Sequence, residues 1–151
     1  MPPSRRGLLG VLGTVAVAAL AGCTALDGGG RDPDAPAADA NPRDLLPVAP
    51  DGWTADDPQQ QLAGFIDAEA GYGRGYTSSD GAHYAVECYR FADRAAAVDA
   101  ASGFEDSGWT AYVVWENVAF AAKGPDVDLV FDLLGHSSAL STSEAREHDV
   151  L

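Results

Sequence analysis

The chain has 151 residues, of which 23 are acidic and 9 are Lys or Arg, so its formal net charge is −14. A chain this acidic has no basic stripe that could release counterions from a nucleic acid, which argues against nucleic-acid binding. It also lacks the basic cluster that would attract anionic lipid head groups. The length fits one domain of ordinary size.

The first residues have the pattern of an export leader. Arg5 and Arg6 precede an apolar run over residues 8–21, which is 14 residues long and contains two glycines. This run is shorter than the roughly 20 apolar residues that a spanning helix needs. A short basic start, an apolar middle and small residues before a cut are typical of a leader removed on export. We therefore predict a cleaved signal peptide over residues 1–22.

The basic start also indicates the export route. Ser4 and the pair Arg5-Arg6 resemble the signal for twin-arginine translocation. Leu8 stands where Phe is commoner and Gly10 where Lys often stands. Ordinary secretion of the unfolded chain is therefore the alternative route.

The leader ends in a lipobox. The four residues that match the lipobox of prokaryotic lipoproteins are Leu20, Ala21, Gly22 and Cys23. The resemblance implies that a lipid is attached to the Cys23 thiol and that the chain is cut before this residue. Lipid chains contribute about 0.8 kcal/mol per buried methylene, so two chains anchor a protein without a spanning helix. We expect a lipid anchor on the outer face of the cytoplasmic membrane, with the protein extracellular.

A disordered tether is predicted after the leader. Residues 24–43 are rich in Gly, Pro and Asp and contain almost no large apolar side chain. Such a composition cannot bury enough surface to offset the entropy lost on ordering. We expect the lipidated Cys23 and its tether to cover residues 23–43, and a single globular domain to cover residues 44–151.

The first predicted elements of the domain are a short helix and a hairpin. Asp57-Pro58 followed by apolar residues at helical spacing predicts a helix over residues 58–67, with a strand over 64–68 as the alternative. Asp80-Gly81 is a hairpin turn signal, and residues 83–91 beyond it are a strand candidate. Alternation along that strand predicts that three side chains face the core: Tyr84, Val86 and Cys88.

The second half of the domain predicts helices around another hairpin. Local signals place a helix over 94–102, strands over 109–115 and 118–122, a helix over 125–134 and a capping box at Ser141 and Glu144. Hairpins followed by helices indicate an α+β fold, a small antiparallel sheet with helices packed on one face. An all-β fold with peripheral helices is the alternative.

Cys88 is the one thiol left for chemistry if Cys23 carries lipid, so no disulfide is expected in the mature chain. A nucleophilic Cys needs a base within hydrogen-bond reach. His83 lies five residues away in the same predicted strand, on its opposite face. A free Cys on an apolar strand face is usually a small core residue. We therefore predict no catalytic residue.

No metal or cofactor site is predicted either. The three histidines, His83, His136 and His148, lack the spacing of zinc or copper ligands. The glycine-rich segment 71–76 lacks the Lys and the Ser or Thr of a phosphate-binding loop, so a strand or a close backbone approach is expected there. Tyr72, Arg74 and Tyr76 in this segment are residue types that binding surfaces favour, and they are the candidate binding surface.

The leader, the acidic tether and an Asp-rich body with a single Lys together resemble haloarchaeal surface lipoproteins. The dense carboxylates of such acidic halophilic surfaces keep a protein hydrated in strong salt. The resemblance implies an address and brings no assigned activity. We expect a non-enzymatic, lipid-anchored cell-surface module that binds a protein partner or a small ligand, as an accessory of a membrane complex. The alternative is an extracytoplasmic enzyme, a hydrolase or a thiol-dependent activity that uses Cys88.

Overall fold

The computed structural model describes residues 31–151. The predicted signal peptide with Arg5 and Arg6, and the lipobox that ends in Cys23, lie outside the described residues. No helix within residues 31–151 is long and apolar enough to cross a membrane.

A six-stranded antiparallel sheet forms the centre of the described part. Its strands are β1 (Thr54–Ala55), β2 (Gln59–Gln60), β3 (Ala70–Thr77), β4 (His83–Arg90), β5 (Ala111–Trp115) and β6 (Val118–Lys123). The spatial order is β1-β3-β4-β6-β5, and β2 pairs with β3 beside β1. Every pairing is antiparallel. The predicted α+β class is confirmed.

Four α-helices and two short 3-10 helices surround this sheet within residues 31–151. They are α1 (Pro42–Leu45), α2 (Arg94–Asp99), α3 (Val127–Leu134), α4 (Thr142–Glu147) and the 3-10 turns Ala63–Ile66 and Ala100–Gly103. The caps that the sequence predicts are present, because the Asp93 side chain accepts from the Ala96 N–H and Ser141 forms a full capping box with Glu144. Asp126 caps α3. Capping side chains satisfy backbone donors that the first helical turn leaves free.

Both predicted hairpins are confirmed. Gly81 closes the turn between β3 and β4 with a φ of 86°, a conformation that costs Gly little. Trp115 pairs directly with Val118, so a turn of two residues joins β5 to β6. Glu116 in that turn takes a φ of 54°.

Helices cover both faces of the sheet, whereas the sequence predicts helices on one face. On the face we call the α3 face, Cys88, Val113 and Phe120 are in the core that contains Val130 and Leu134. On the opposite α2 face, Tyr89, Tyr112 and Ala121 of the sheet share a second core with Ala97 of α2. All five residues of β5 are buried. A strand buried on both faces has a continuous apolar sequence, so it lacks the alternation that would reveal a solvated face.

The helix predicted over residues 58–67 is wrong, and so is its alternative strand over 64–68. Gln59 and Gln60 form β2 at the edge of β3, and the Gln61 N–H donates to the Gly71 carbonyl at 2.9 Å. Only Ala63–Ile66 form a 3-10 turn, which ends where Asp67 takes a left-handed φ of 58°. Pairing with the open edge of β3 satisfies backbone groups that a helix would have satisfied internally.

Residues 31–43 lie against the sheet, so the predicted disorder is wrong for this part of the tether. Asn117 Nδ2 donates to the Ala38 carbonyl at 2.8 Å, and the Arg31 guanidinium donates to Asn117 Oδ1 at 2.9 Å. Arg90 donates to the carbonyls of Asp39 and Ala40, each at 3.2 Å. Polar side chains at this end of the sheet therefore hold a segment that has little apolar surface of its own. The compact body therefore includes residues 31–43, in addition to the predicted domain over residues 44–151.

Candidate functional site

The predicted binding residues Tyr72, Arg74 and Tyr76 point to the α3 face, where they are partly or fully covered. Tyr76 is 2% exposed, and its hydroxyl donates to the Pro47 carbonyl at 2.7 Å. Burial raises the pKa of this hydroxyl well above its usual value. Arg74 donates to the same carbonyl at 3.4 Å, and Tyr72 packs against the core. Tyr76 is buried and holds the segment around Pro47, so it is not part of an open surface. Tyr72 and Arg74 stay partly exposed, and their part in binding stays a prediction.

The glycine-rich segment is strand β3, and its glycines allow close packing on the α2 face. A Cβ added at Gly73 would lie 2.6 Å from Gln61 Nε2. A Cβ at Gly71 would lie 2.6 Å from two carbons of the Tyr89 ring. Glycine inside a strand often marks such a close approach. The segment is therefore not a phosphate-binding loop.

A pair of exposed apolar side chains stands out on the α2 face. Leu62 is 85% exposed and Phe65 is 74% exposed. Phe65 is in the 3-10 turn, and Leu62 immediately precedes it. The other apolar residues of the turn, Ala63 and Ile66, pack against the core of this face. The turn is too short to bury all four. We call Leu62 and Phe65 the 62–65 knob.

Two clefts flank Phe65. The helix-side cleft has a volume of about 340 Å³ and lies between the 3-10 turn and α2, with Asp67, Ala96 and Asp99 in its wall. The sheet-side cleft has a volume of about 360 Å³ and reaches across to Glu87 and Trp109. Phe65 and Gly103 line both clefts. Volumes of this size suit a small ligand or a few side chains of a partner.

The charged groups in the walls of these clefts are carboxylates. Asp67 and Asp99 lie in the helix-side cleft and Glu87 in the sheet-side cleft. Neither cleft has a Lys or Arg in its wall, as far as the described residues show. Glu87 Oε2 accepts a hydrogen bond from the Tyr89 hydroxyl at 2.7 Å. Burial, together with this carboxylate, raises the pKa of Tyr89 far above its usual value, so the hydroxyl stays a donor.

Sequence reasoning missed the 62–65 knob because its residues fit a different pattern. Leu62, Phe65 and Ile66 have the spacing of a helical stripe, and such a stripe is normally buried. The structure buries only Ile66 to any extent. Gly64 between them was the available sequence signal for a turn.

Cys88 lies in the core of the α3 face and has no exposed surface. Burial raises the pKa of its thiol well above the usual value, which disfavours the nucleophilic thiolate. His83 Nδ1 lies 3.2 Å from Thr77 Oγ1, and the His148 ring packs 5.1 Å from the Trp115 ring. The placement of Cys88 therefore gives no support to a thiol-dependent enzyme.

No group of three His, Cys, Asp or Glu side chains in residues 31–151 could hold a metal ion.

Cys88 is expected to resist a thiol reagent in the folded protein and to react fully after unfolding. The reason is that a buried, protonated thiol is neither accessible nor nucleophilic at neutral pH. The measurement is the count of modified thiols in the Cys23→Ser chain, with and without denaturant. Stoichiometric modification of the folded chain within minutes would show that Cys88 is reachable and would reopen the enzyme alternative.

Comparison with known proteins assigns no family. No protein-family model matches the chain, and no curated protein and no solved structure matches it. The leader motif and the surface of residues 31–151 are therefore the features that bear on function.

Proposed function

We propose that the protein is a lipid-anchored module of the cell surface that binds a partner and carries out no catalysis. The observation that carries the proposal is the motif Leu20-Ala21-Gly22-Cys23 at the end of a short apolar leader. A diacylated Cys holds a protein firmly at a membrane surface. The acidic composition of the chain, as in the haloarchaeal lipoproteins that it resembles, suits an exported surface in strong salt.

The 62–65 knob supports the binding half of the proposal. Single exposed apolar residues are ordinary on a protein surface, but Leu62 and Phe65 are neighbours and both are exposed. Exposed apolar patches with polar rims often mark interaction sites. The three carboxylates in the flanking clefts provide such a rim. Binding to another component at the membrane would make this protein an accessory of a membrane complex.

Cell fractionation tests the proposal. The protein should sediment with membranes, resist a high-salt wash and dissolve in detergent, because a lipid anchor depends on apolar contact rather than charge. It should also be digested when protease is added to intact cells. Recovery in the cytosol, or release by salt alone, would contradict the proposed anchor.

Replacing Arg5-Arg6 with Lys-Lys should stop export of the chain. Twin-arginine translocation is read from the arginine pair, and Lys keeps the charge of the leader while removing the guanidinium groups. The precursor should then accumulate in the cytoplasm, as detected by immunoblot against the mature body. Replacing the exposed Arg43 with Lys leaves the leader intact and serves as the matched control. Normal export of the Lys-Lys chain would instead identify the general secretory route.

A further inference from the structure

We infer that the 62–65 knob and its two clefts dock a basic, apolar segment of a partner protein, in which Lys or Arg alternates with large apolar side chains. The inference rests on the proposed binding function and names the chemistry of the partner. The shape of the site is the first reason. Phe65 stands between two clefts that it shares with Gly103, so apolar side chains of one segment can enter on either side of its ring.

Each cleft combines packed apolar side chains with polar ones. In the sheet-side cleft, the Phe104 ring lies 4.7 Å from the Tyr112 ring and 5.7 Å from the Trp109 ring, measured between ring centres. In the helix-side cleft, Ile66 and two alanines of the α2 region form the wall. Binding that needs no rearrangement of the receptor has a smaller entropic cost. A segment with Leu or Phe side chains would therefore find preformed sites beside the exposed ring of Phe65, which binding would bury.

The negative charge of the cleft walls favours a basic segment over a second copy of the chain or an anionic lipid surface. Asp67, Asp99 and Glu87 lie in the cleft walls, and none of the described Lys or Arg residues accompanies them there. The closest basic group recorded against a wall residue is Lys123, whose Nζ lies 4.7 Å from the centre of the Trp109 ring. A second copy of this chain would set carboxylates against carboxylates, and an anionic lipid surface would be repelled in the same way. A segment with cations on both sides of its apolar residues complements the site.

Strong salt restricts where the cations of the partner segment can lie. The Debye length is about 3 Å at 1 M salt, so charges that are not in direct contact are screened. Attraction at long range is then lost, while a cation placed directly on Asp67 or Asp99 keeps its contact. The basic residues of the partner must therefore be adjacent to its apolar anchors rather than scattered over its surface.

The test is a titration of the full-length chain in detergent with a dye-labelled synthetic peptide of alternating Lys and Leu, followed by fluorescence anisotropy. The double variant Leu62→Ser, Phe65→Ser should bind this peptide about tenfold or more weakly than the parent. Val48→Ser is the matched control, because Val48 is 70% exposed and its N–H is bonded to His136 near α3, away from the clefts. It should bind like the parent. All three chains should show the same unfolding temperature.

A second pair of variants tests the charge. Asp67→Asn with Asp99→Asn should weaken binding severalfold and reduce its dependence on salt, whereas Asp132→Asn on the exposed side of α3 should do neither. A peptide with Ala in place of Leu should bind far more weakly than the Lys-Leu peptide.

Four results would overturn the inference. The first is that the parent does not bind the Lys-Leu peptide, and the second is that the double variant binds it as tightly as the parent. The third is that the parent binds the Lys-Ala peptide as tightly as the Lys-Leu peptide. The fourth is that the double variant loses only self-association or vesicle binding. The last would assign the site to a second copy or to lipid. Membrane fractionation distinguishes the two proposals, since the anchor can hold while the peptide fails to bind.

Discussion

Replacing Cys23 with Ser is expected to abolish the membrane attachment of the mature protein. A serine hydroxyl is not a substrate for thioether formation, so no lipid is added, and each methylene lost from the bilayer removes about 0.8 kcal/mol of binding. Residues 31–151 contain no helix that could replace the anchor. Immunoblots of membrane and soluble fractions should show the chain either in the soluble fraction or as a precursor that keeps residues 1–22.

The second cysteine provides the control for this variant. Cys88 lies in the core of the α3 face and outside any lipobox, so Cys88→Ala should leave attachment unchanged while it lowers stability slightly. A Cys23→Ser chain of mature size that stays in the membrane pellet after a salt wash would contradict the lipid assignment.

Replacing Asn117 with Ala should lower the free energy of unfolding by about 2 to 4 kcal/mol, because it removes several hydrogen bonds at a buried position. Asn117 is 6% exposed, and its Nδ2 donates to the carbonyls of Ala38 at 2.8 Å and Phe91 at 2.9 Å. Its Oδ1 accepts from Arg31 at 2.9 Å. Truncation leaves two carbonyls without their donor and one guanidinium without its acceptor. Urea unfolding in strong salt measures the loss.

Two further variants test whether the loss of stability comes from the donated hydrogen bonds of the Asn117 side chain. Asn117→Asp keeps an acceptor for Arg31 but loses both donated bonds, so it should be nearly as destabilising as Ala. Gln60→Ala, at an exposed position of β2, removes a similar amide and should change stability little. The Ala variant should also expose residues 31–40 to protease, because the bond from Asn117 to Ala38 is lost. A change below about 0.5 kcal/mol, with residues 31–40 still protected, would show that Asn117 does not hold this segment.

Elements set by local signals were predictable from the sequence. Helix α3 ends before Gly135, and the capping box at Ser141 opens α4, as the sequence indicates. The start of α3 is two residues later than predicted, because Asp126 caps the helix instead of lying in its first turn. The hairpin turns at Gly81 and at Glu116-Asn117 were also predictable, because turn residues act on their own neighbours.

Features that depend on distant residues were not predictable. The segment 31–43 is held by Asn117 and Arg90, and the bond from Arg31 to Asn117 spans 86 positions of the chain. Composition indicates how much apolar surface a segment can bury, but it does not reveal a polar side chain elsewhere that bonds to its backbone. Tyr76 failed as a binding residue for a similar reason, since the Pro47 carbonyl that covers it lies 29 positions away.

The 62–65 knob shows the opposite case, in which a local pattern was present but predicted the wrong secondary structure. Leu62 and Phe65 have helical spacing, but β2 takes the preceding residues to the edge of β3 and leaves room for a single 3-10 turn. The apolar side chains that would have faced a core now face solvent. The site that we propose for a partner is therefore located where the predicted helix does not form.

The intact mass of the protein extracted from membranes with detergent tests the central claim most directly. The proposal predicts a chain that begins at Cys23, carries additional mass equal to covalently bound lipid, and loses this mass when the lipid is removed chemically. A chain that retains residues 1–22, or one that begins elsewhere with an unmodified Cys23 thiol, would contradict the account of a lipid-anchored surface module.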